Sequence, residues 1–170
     1  MMAEVVVARL GLDSTSGGYV VILRERHGHR VLPIWIGQPE AVSIAEQLNQ
    51  IHRERPLTHD LCKALITGLG GTLRRVSITR VEKSTYFAEL QIAGPAGVVE
   101  FDARPSDSIA IALRLSAPIY ASASLLTELD GEADEAPDVP PTPPEGDLTS
   151  EQLKAYLERL RPEDFGKFSP

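Results

Sequence analysis

The sequence has 170 residues, 42% of them apolar, which suits one folded domain with residues left over for a tail. It has no run of eighteen apolar residues, no signal-peptide pattern and a single cysteine, Cys62. These features exclude a transmembrane helix, an intrachain disulfide and a cysteine zinc cluster, and make a cytoplasmic location the expectation. Most of the net charge of −7 lies in residues 131–170, which hold 10 acidic and 4 basic residues. Residues 1–130 are therefore nearly neutral and do not predict a broad basic face that would bind nucleic acid.

Three short apolar strands are predicted in the first 36 residues, at 5–10, 19–25 and 31–36. Gly17 and Gly18 supply the first turn, and the stretch 27–29 supplies the second. Short strands joined by tight turns predict an antiparallel meander. Pro33 indicates that the third strand lies at an edge or carries a bulge, because proline has no N–H to donate to a neighbouring strand.

Two helices are predicted next. In 39–55 apolar residues recur three and four positions apart, and Pro39 suits the first turn of a helix. The second helix runs from about His59 to Leu69 with a stripe of leucines, and Gly70 and Gly71 end it because glycine accepts the left-handed conformation.

Strands are predicted at 72–81, 85–93 and 98–103, then a helix at about 106–115, a strand at 118–122 and a short helix at 123–129. The predicted order is therefore βββ-αα-βββ-α-β-α. Runs of strands between helices favour an α+β fold, with a largely antiparallel mixed sheet and helices packed on it.

The last forty residues predict a different organisation. Residues 131–148 carry six acids and five prolines without a basic residue, which predicts a disordered linker after a domain at 1–130. Residues 149–170 predict a helical tail, since Thr149 and Gln152 form a capping box. Its apolar stripe must contact another surface, in cis or in trans, or bind a partner protein. The stripe consists of Leu153, Tyr156, Leu157 and Leu160.

The stretch 55-RPLTHDL-61 has two interpretations. In the structural one, Thr58 caps the helix, Asp60 stabilises its positive end and His59 is an exposed first-turn residue. In the functional one, His59 and Asp60 face a cleft as metal ligands or as an acid–base pair. A single His-Asp dipeptide does not decide between them.

The stretch 102-DARPSDSIAIAL-113 places four polar groups at a strand-to-helix junction. Ser106 could be the N-cap, Asp107 a first-turn acid, and Arg104 the ion-pair partner of Asp102 or Asp107. One cap would suffice, however, and a helix N-terminus next to an arginine is also suited to bind phosphate. Oxygen ligands from Asp102 and Asp107, with Glu40 or His59, could hold a divalent cation.

Together, LPIWIGQPEAVSI, RPLTHDL, FDARPSDSIAIAL and PIYAS resemble the bifunctional nuclease domain family over roughly residues 4–130. The tail with 162-PEDF-165 resembles that of bacterial members. The resemblance implies an α+β domain that self-associates as a dimer or larger homo-oligomer, and divalent-metal-dependent cleavage of RNA and DNA. The positions that match the family motifs are Glu40, Arg55, Thr58, His59, Asp60, Asp102, Arg104, Ser106 and Asp107.

Roles for these residues form a hypothesis that rests on the resemblance. Glu40, Asp102 and Asp107 would bind Mg²⁺ or Mn²⁺, which polarises the phosphate and activates a water. His59, held by Asp60, would be the general acid or base, and Arg104 would stabilise the charge that develops on the phosphate. Contacts to the nucleic acid substrate would come from Arg55, Thr58 and Ser106.

The rival hypothesis is a non-catalytic binding or regulatory module, in which the polar cluster only holds two helix starts together. The nearly neutral charge of residues 1–130 favours it. So does the absence of any signature nuclease motif with a known spacing.

Overall fold

The computed structural model describes residues 1–13 and 16–128. The predicted linker at 131–148 and the predicted tail helix at 149–170 lie outside these residues. The strands are β1 Met2–Leu12, β2 Tyr19–Glu25, β3 Arg30–Ile36, β4 Thr72–Glu82, β5 Thr85–Gly94, β6 Gly97–Ala103, β7 Ile119–Ser122 and β8 Thr127–Glu128. The helices are α1 Gln38–Leu48, α2 Thr58–Gly68 and α3 Pro105–Leu115.

The strands form one mixed sheet in the order β6-β5-β4-β7-β1-β2-β3-β8. Neighbouring strands are antiparallel except β4 and β7, which are parallel. The predicted α+β class and its largely antiparallel sheet are confirmed. Pro33 pairs with Ile22 of β2, while β8 pairs only with Arg30 and Val31, so Pro33 does lie at an open edge.

The predicted helix at 123–129 is wrong. Ala123–Leu125 form a single 3-10 turn, and Thr127–Glu128 form β8 against the start of β3. A seven-residue helix gains few internal hydrogen bonds, whereas the open edge of β3 offers backbone partners at once. Leu126 is buried between the turn and the strand, which holds the segment in place.

The core lies between the helices and one face of the sheet. Its side chains belong to one cluster that joins β2, β3 and β4 with α1 and α3, and Leu23, Leu32, Ile44, Ile78 and Ile109 are almost completely buried. Burial of each such side chain stabilises the fold by about 1.5–3 kcal/mol. Helix α3 contacts both α1 and α2, so the packing of the core brings the starts of α2 and α3 close to α1.

The end of α2 depends on glycine, as predicted. Gly70 has a φ of 78°, in the left-handed region. At Gly71 a Cβ would lie 2.8 Å from the carbonyl oxygen of Ile66 and 3.1 Å from a methyl group of Ile92. A side chain at position 71 would therefore clash with the last turn of α2 and press on β5.

Candidate active site

His59 lies in the first turn of α2 with both ring nitrogens engaged. Its Nδ1 is 2.7 Å from Ser43 Oγ of α1, and its Nε2 is 2.9 Å from Asp107 Oδ1 of α3. An ionised carboxylate only accepts, so Nε2 carries a proton, and in neutral His59 Nδ1 then accepts from the Ser43 hydroxyl. The side chain of His59 is only 12% exposed. Its two hydrogen-bond partners lie on two other helices, α1 and α3, and hold the imidazole in place.

Arg104 covers the solvent side of this pair. Its Nε donates to Asp107 Oδ2 at 2.7 Å, and its Nη2 donates to Glu40 Oε1 at 2.8 Å. Its side chain is 66% exposed, whereas that of Glu40 is 14% exposed. Asp107, and secondarily Glu40, raise the pKa of Arg104 through these hydrogen bonds. The guanidinium is therefore a permanent cation presented to solvent.

Asp107 connects the two groups. Burial alone would raise the pKa of its carboxyl, but the hydrogen bonds from Arg104 and then His59 outweigh burial, and the net pKa is lowered. Asp107 is thus ionised at neutral pH. The chain of contacts runs from buried Ser43 through His59 and Asp107 to exposed Arg104 and on to Glu40.

Asp60 points to a different partner. It forms no hydrogen bond to His59, although the sequence hypothesis paired the two residues. Instead, Asp60 Oδ1 accepts from Arg114 Nε at 2.6 Å, and Asp60 Oδ2 accepts from the Leu57 N–H at 3.0 Å. Burial raises the pKa of Asp60, and the bonds from Arg114 and Leu57 outweigh it and lower the pKa overall. In place of the expected contact to Asp60, His59 has Asp107 and Ser43.

Arg114 was not singled out in the sequence. Its side chain is only 3% exposed, and besides Asp60 it donates to the carbonyl oxygens of Ala110 at 2.9 Å and Ser43 at 3.3 Å. One buried guanidinium therefore connects α1, α2 and α3. Ser43 was missed as well, because a small residue on an amphipathic helix gives no sequence signal of a polar contact.

The predicted side-chain caps are corrected by the structure. Leu57 is the N-cap of α2, so Thr58 is its first helical residue. Arg104 is the N-cap of α3, followed by Pro105, so Ser106 lies inside the first turn and is buried. Proline at the first position removes a donor that would otherwise need a cap, and the Leu57 N–H is satisfied by Asp60.

Two of the predicted site residues stand apart from this cluster. Arg55 is exposed in the loop between α1 and α2, and Asp102 is exposed on β6, opposite Glu89 of β5. The predicted metal ligands Glu40, Asp102 and Asp107 do not fit a divalent cation as they are arranged. The Arg104 guanidinium occupies both Glu40 and Asp107, and within residues 1–13 and 16–128 no three His, Cys, Asp or Glu side chains are grouped to hold a metal ion.

A polar pocket of about 200 Å³ opens behind Asp60 and Arg114. It is lined by the end of α1 and by the loop that follows, including Glu46, Arg53 and Glu54. Both acidic and basic groups line it, and Arg53 is paired with Glu46. Neither His59 nor Arg104 lines the pocket, so the exposed guanidinium belongs to a separate, open surface. No helix of the described part of the chain is long and apolar enough to cross a membrane.

Comparisons with known proteins place this geometry in a family context. Residues 21–134 match the sequence model of the bifunctional nuclease domain. An uncharacterised protein of Mycobacterium tuberculosis is 37% identical over 164 residues, which cover 96% of this chain and 98% of that protein. A protein named bifunctional nuclease from Oryza minuta is 26% identical over 89% of this chain and 45% of its own length. Bifunctional nuclease 2 of Arabidopsis thaliana is 30% identical over 59% of this chain and 31% of its own length.

Proposed function

The chain belongs to the bifunctional nuclease domain family, and from that premise we propose that it hydrolyses phosphodiester bonds of RNA and DNA at the Arg104–Asp107–His59 cluster. One observation carries the proposal: an exposed guanidinium adjoins a carboxylate–imidazole pair whose members are held by other helices. Arginine binds phosphate through two parallel N–H donors, and a carboxylate or imidazole beside it can move the proton of an attacking water.

Binding of phosphate would act on Arg104 first. The guanidinium is the most exposed group of the cluster, and its donors now point at Asp107 and Glu40. A phosphodiester takes over some of these donors, and the same contacts stabilise the charge that develops when water adds to phosphorus.

Loss of the hydrogen bonds from Arg104 then changes the pKa of Asp107. Among the interactions that lower its pKa, the hydrogen bond from Arg104 is the largest, so transfer of Arg104 to phosphate raises the pKa of Asp107 and makes it a better base. Asp107 accepts a proton from the attacking water, the new P–O bond forms, and the ester P–O bond breaks. The leaving oxygen takes its proton from solvent. His59 donates Nε2–H to Asp107 and fixes the orientation of the carboxylate.

No step of this reaction is assigned to a metal ion, because Arg104 engages Glu40 and Asp107, and among the described residues no three possible ligands are grouped to hold one. Arg55 is the further cation proposed to contact the nucleic acid, since it is exposed and forms no ion pair with the described part of the chain. The hydroxyl of buried Ser106 is given no role at the substrate.

Site-directed variants test the proposal with purified full-length protein on single-stranded RNA and DNA. Asp107→Asn and Arg104→Gln are expected to reduce cleavage by at least about a hundredfold, in line with removal of a positioned base or charge donor. Glu100→Gln, an exposed carboxylate on β6, is the matched control and should cleave at the wild-type rate. Activity that survives in Asp107→Asn but disappears in Asp102→Asn would refute this site and favour the exposed face of β6.

A second candidate function is a non-catalytic binding module, and one observation favours it. Ser43, His59, Asp107, Arg104 and Glu40 already satisfy one another by hydrogen bonds, as groups that hold three helices together would. In that case the Arg104→Gln variant would lose stability, the wild-type protein would bind an oligonucleotide without cleaving it, and all variants would lack turnover alike.

A further inference from the structure

Helix α2 carries a row of exposed leucines that the candidate active site does not explain. Leu57, Leu61, Leu65 and Leu69 recur every four residues, and their exposed fractions are 42%, 50%, 53% and 76%. No residue of the helix is fully buried; only Cys62 and Ile66 pack from it against the core. An isolated exposed leucine is ordinary, but an aligned row is typical of a surface that another element covers. We name this row the leucine stripe.

We propose that the C-terminal segment 149–160 of the same chain docks on the leucine stripe. This segment lies outside the described residues, and its sequence carries a matching apolar row at Leu153, Tyr156, Leu157 and Leu160. The spacing of these four residues is i, i+3, i+4 and i+7, which is the pattern of an amphipathic helix that binds an apolar groove. The inference goes beyond the proposed function and does not depend on it.

The length of the tail row is compatible with that of the leucine stripe. At 1.5 Å per residue, a helical row from residue 153 to residue 160 is about 11 Å long, and the stripe from Leu57 to Leu69 is about 18 Å long. The shorter row is therefore no longer than the stripe that would receive it.

The connecting chain is long enough for docking within one molecule. The described part ends at Glu128 in β8, and α2 packs on β4, which is five strand positions away across the sheet. Five spacings correspond to about 24 Å. The twenty residues 129–148 reach at most about 66 Å when extended, so they cover the distance with ample slack.

Connectivity also favours this occupant over a second copy of the protein. A tethered segment faces its site at an effective concentration on the order of millimolar, whereas a separate copy competes at its concentration in solution. Within the reach of the tether, Leu153, Tyr156, Leu157 and Leu160 supply an apolar row at helical spacing.

Hydrogen exchange of the full-length protein, followed by mass spectrometry, tests the docking. In the wild type the amides of α2 should be protected at all protein concentrations, and Leu157→Glu should speed their exchange by about tenfold or more. Ala155→Glu is the matched control, because it adds the same charge to the opposite side of the tail helix, and it should leave the protection unchanged. Leu65→Glu on the stripe should mimic Leu157→Glu, and Lys63→Glu, at an exposed position on the opposite side of α2, should not.

Three outcomes would overturn the proposal. Equal exchange of α2 in the wild type and in Leu157→Glu would show that the tail does not cover the stripe. Protection that disappears on hundredfold dilution while Leu157→Glu has no effect would assign the stripe to a second copy. Protection that depends both on dilution and on Leu157 would mean docking between molecules. Circular dichroism of each variant separates these results from a failure to fold, and none of them bears on cleavage by Asp107.

Discussion

The buried guanidinium of Arg114 offers a direct test of how the site is held together. Arg114→Met keeps an unbranched side chain of similar length but removes every donor. The change leaves Asp60 Oδ1 without its 2.6 Å partner, and it removes the donor to the Ser43 carbonyl oxygen at 3.3 Å. We expect the three helices to lose one of their two polar connections, while the contacts of His59 with Ser43 and Asp107 and the apolar core stay intact.

The magnitude follows from the burial of the two partners. Removing one member of a fully buried ion pair costs about 3–5 kcal/mol. The side chain of Arg114 is 3% exposed, but that of Asp60 is 35% exposed, so water can replace part of the lost interaction. We therefore expect the free energy of unfolding to fall by about 2–3 kcal/mol, between the buried-pair value and the 0–1 kcal/mol of a surface pair.

Urea denaturation followed by circular dichroism measures this loss. Asp60→Asn and the double variant complete a thermodynamic cycle, in which the coupling between the two residues should be about 1–3 kcal/mol. Arg26→Met is the matched control, because the pair between Arg26 and Glu4 lies on the surface and should contribute less than about 1 kcal/mol.

The reasoning is refuted by either of two results. One is a stability of Arg114→Met within about 0.5 kcal/mol of the wild type, which is the range of ordinary surface substitutions. The other is an additive cycle, which would mean that Arg114 stabilises the helices by packing alone and that Asp60 is held by other groups.

Three further predictions concern the same region. The folded-state pKa values of Asp60 and Asp107 lie below the ordinary 3.8, so their ionised forms stabilise the fold above that pH. The free energy of unfolding should therefore fall as the pH drops below about 3.8 through the folded-state values. Urea titrations across pH should show this fall, and it should be less steep in Asp107→Asn. Ser116→Gly should raise the free energy of unfolding by up to about 1 kcal/mol in the same assay, because Ser116 ends α3 with a φ of 51°, and a decrease would contradict this. Mg²⁺ alone should leave the melting temperature unchanged in a thermal-shift titration, and a rise that Glu40→Gln or Asp102→Asn abolishes would assign that carboxylate as a ligand.

The sequence was informative where structure depends on nearby residues. Within residues 1–13 and 16–128, apolar periodicity located the three helices and seven of the eight strands, and glycine and proline marked their ends, because these signals are local. The segment at 123–129 was misread because its conformation depends on the open edge of β3, almost a hundred residues earlier.

Several members of the candidate site could be singled out from the sequence, but their pairings could not. His59 and Asp107 were singled out, yet their contact spans 48 positions in sequence, and that of Asp60 with Arg114 spans 54. Ser43 and Arg114 gave no local signal, since one resembles a small helix-face residue and the other a solvated arginine. Their roles follow only from the packing of α1, α2 and α3, which no single segment specifies.

The central position of β7 has a consequence for how the protein is made. Its four residues pair with β1 on one side, at the very start of the chain, and with β4 on the other, and so join the β1-β2-β3 meander to β4-β5-β6. During synthesis each meander can form as it emerges, but the two cannot be united until residue 122 has left the ribosome. Pairings this distant in sequence predict a slow folding transition for a domain of this size.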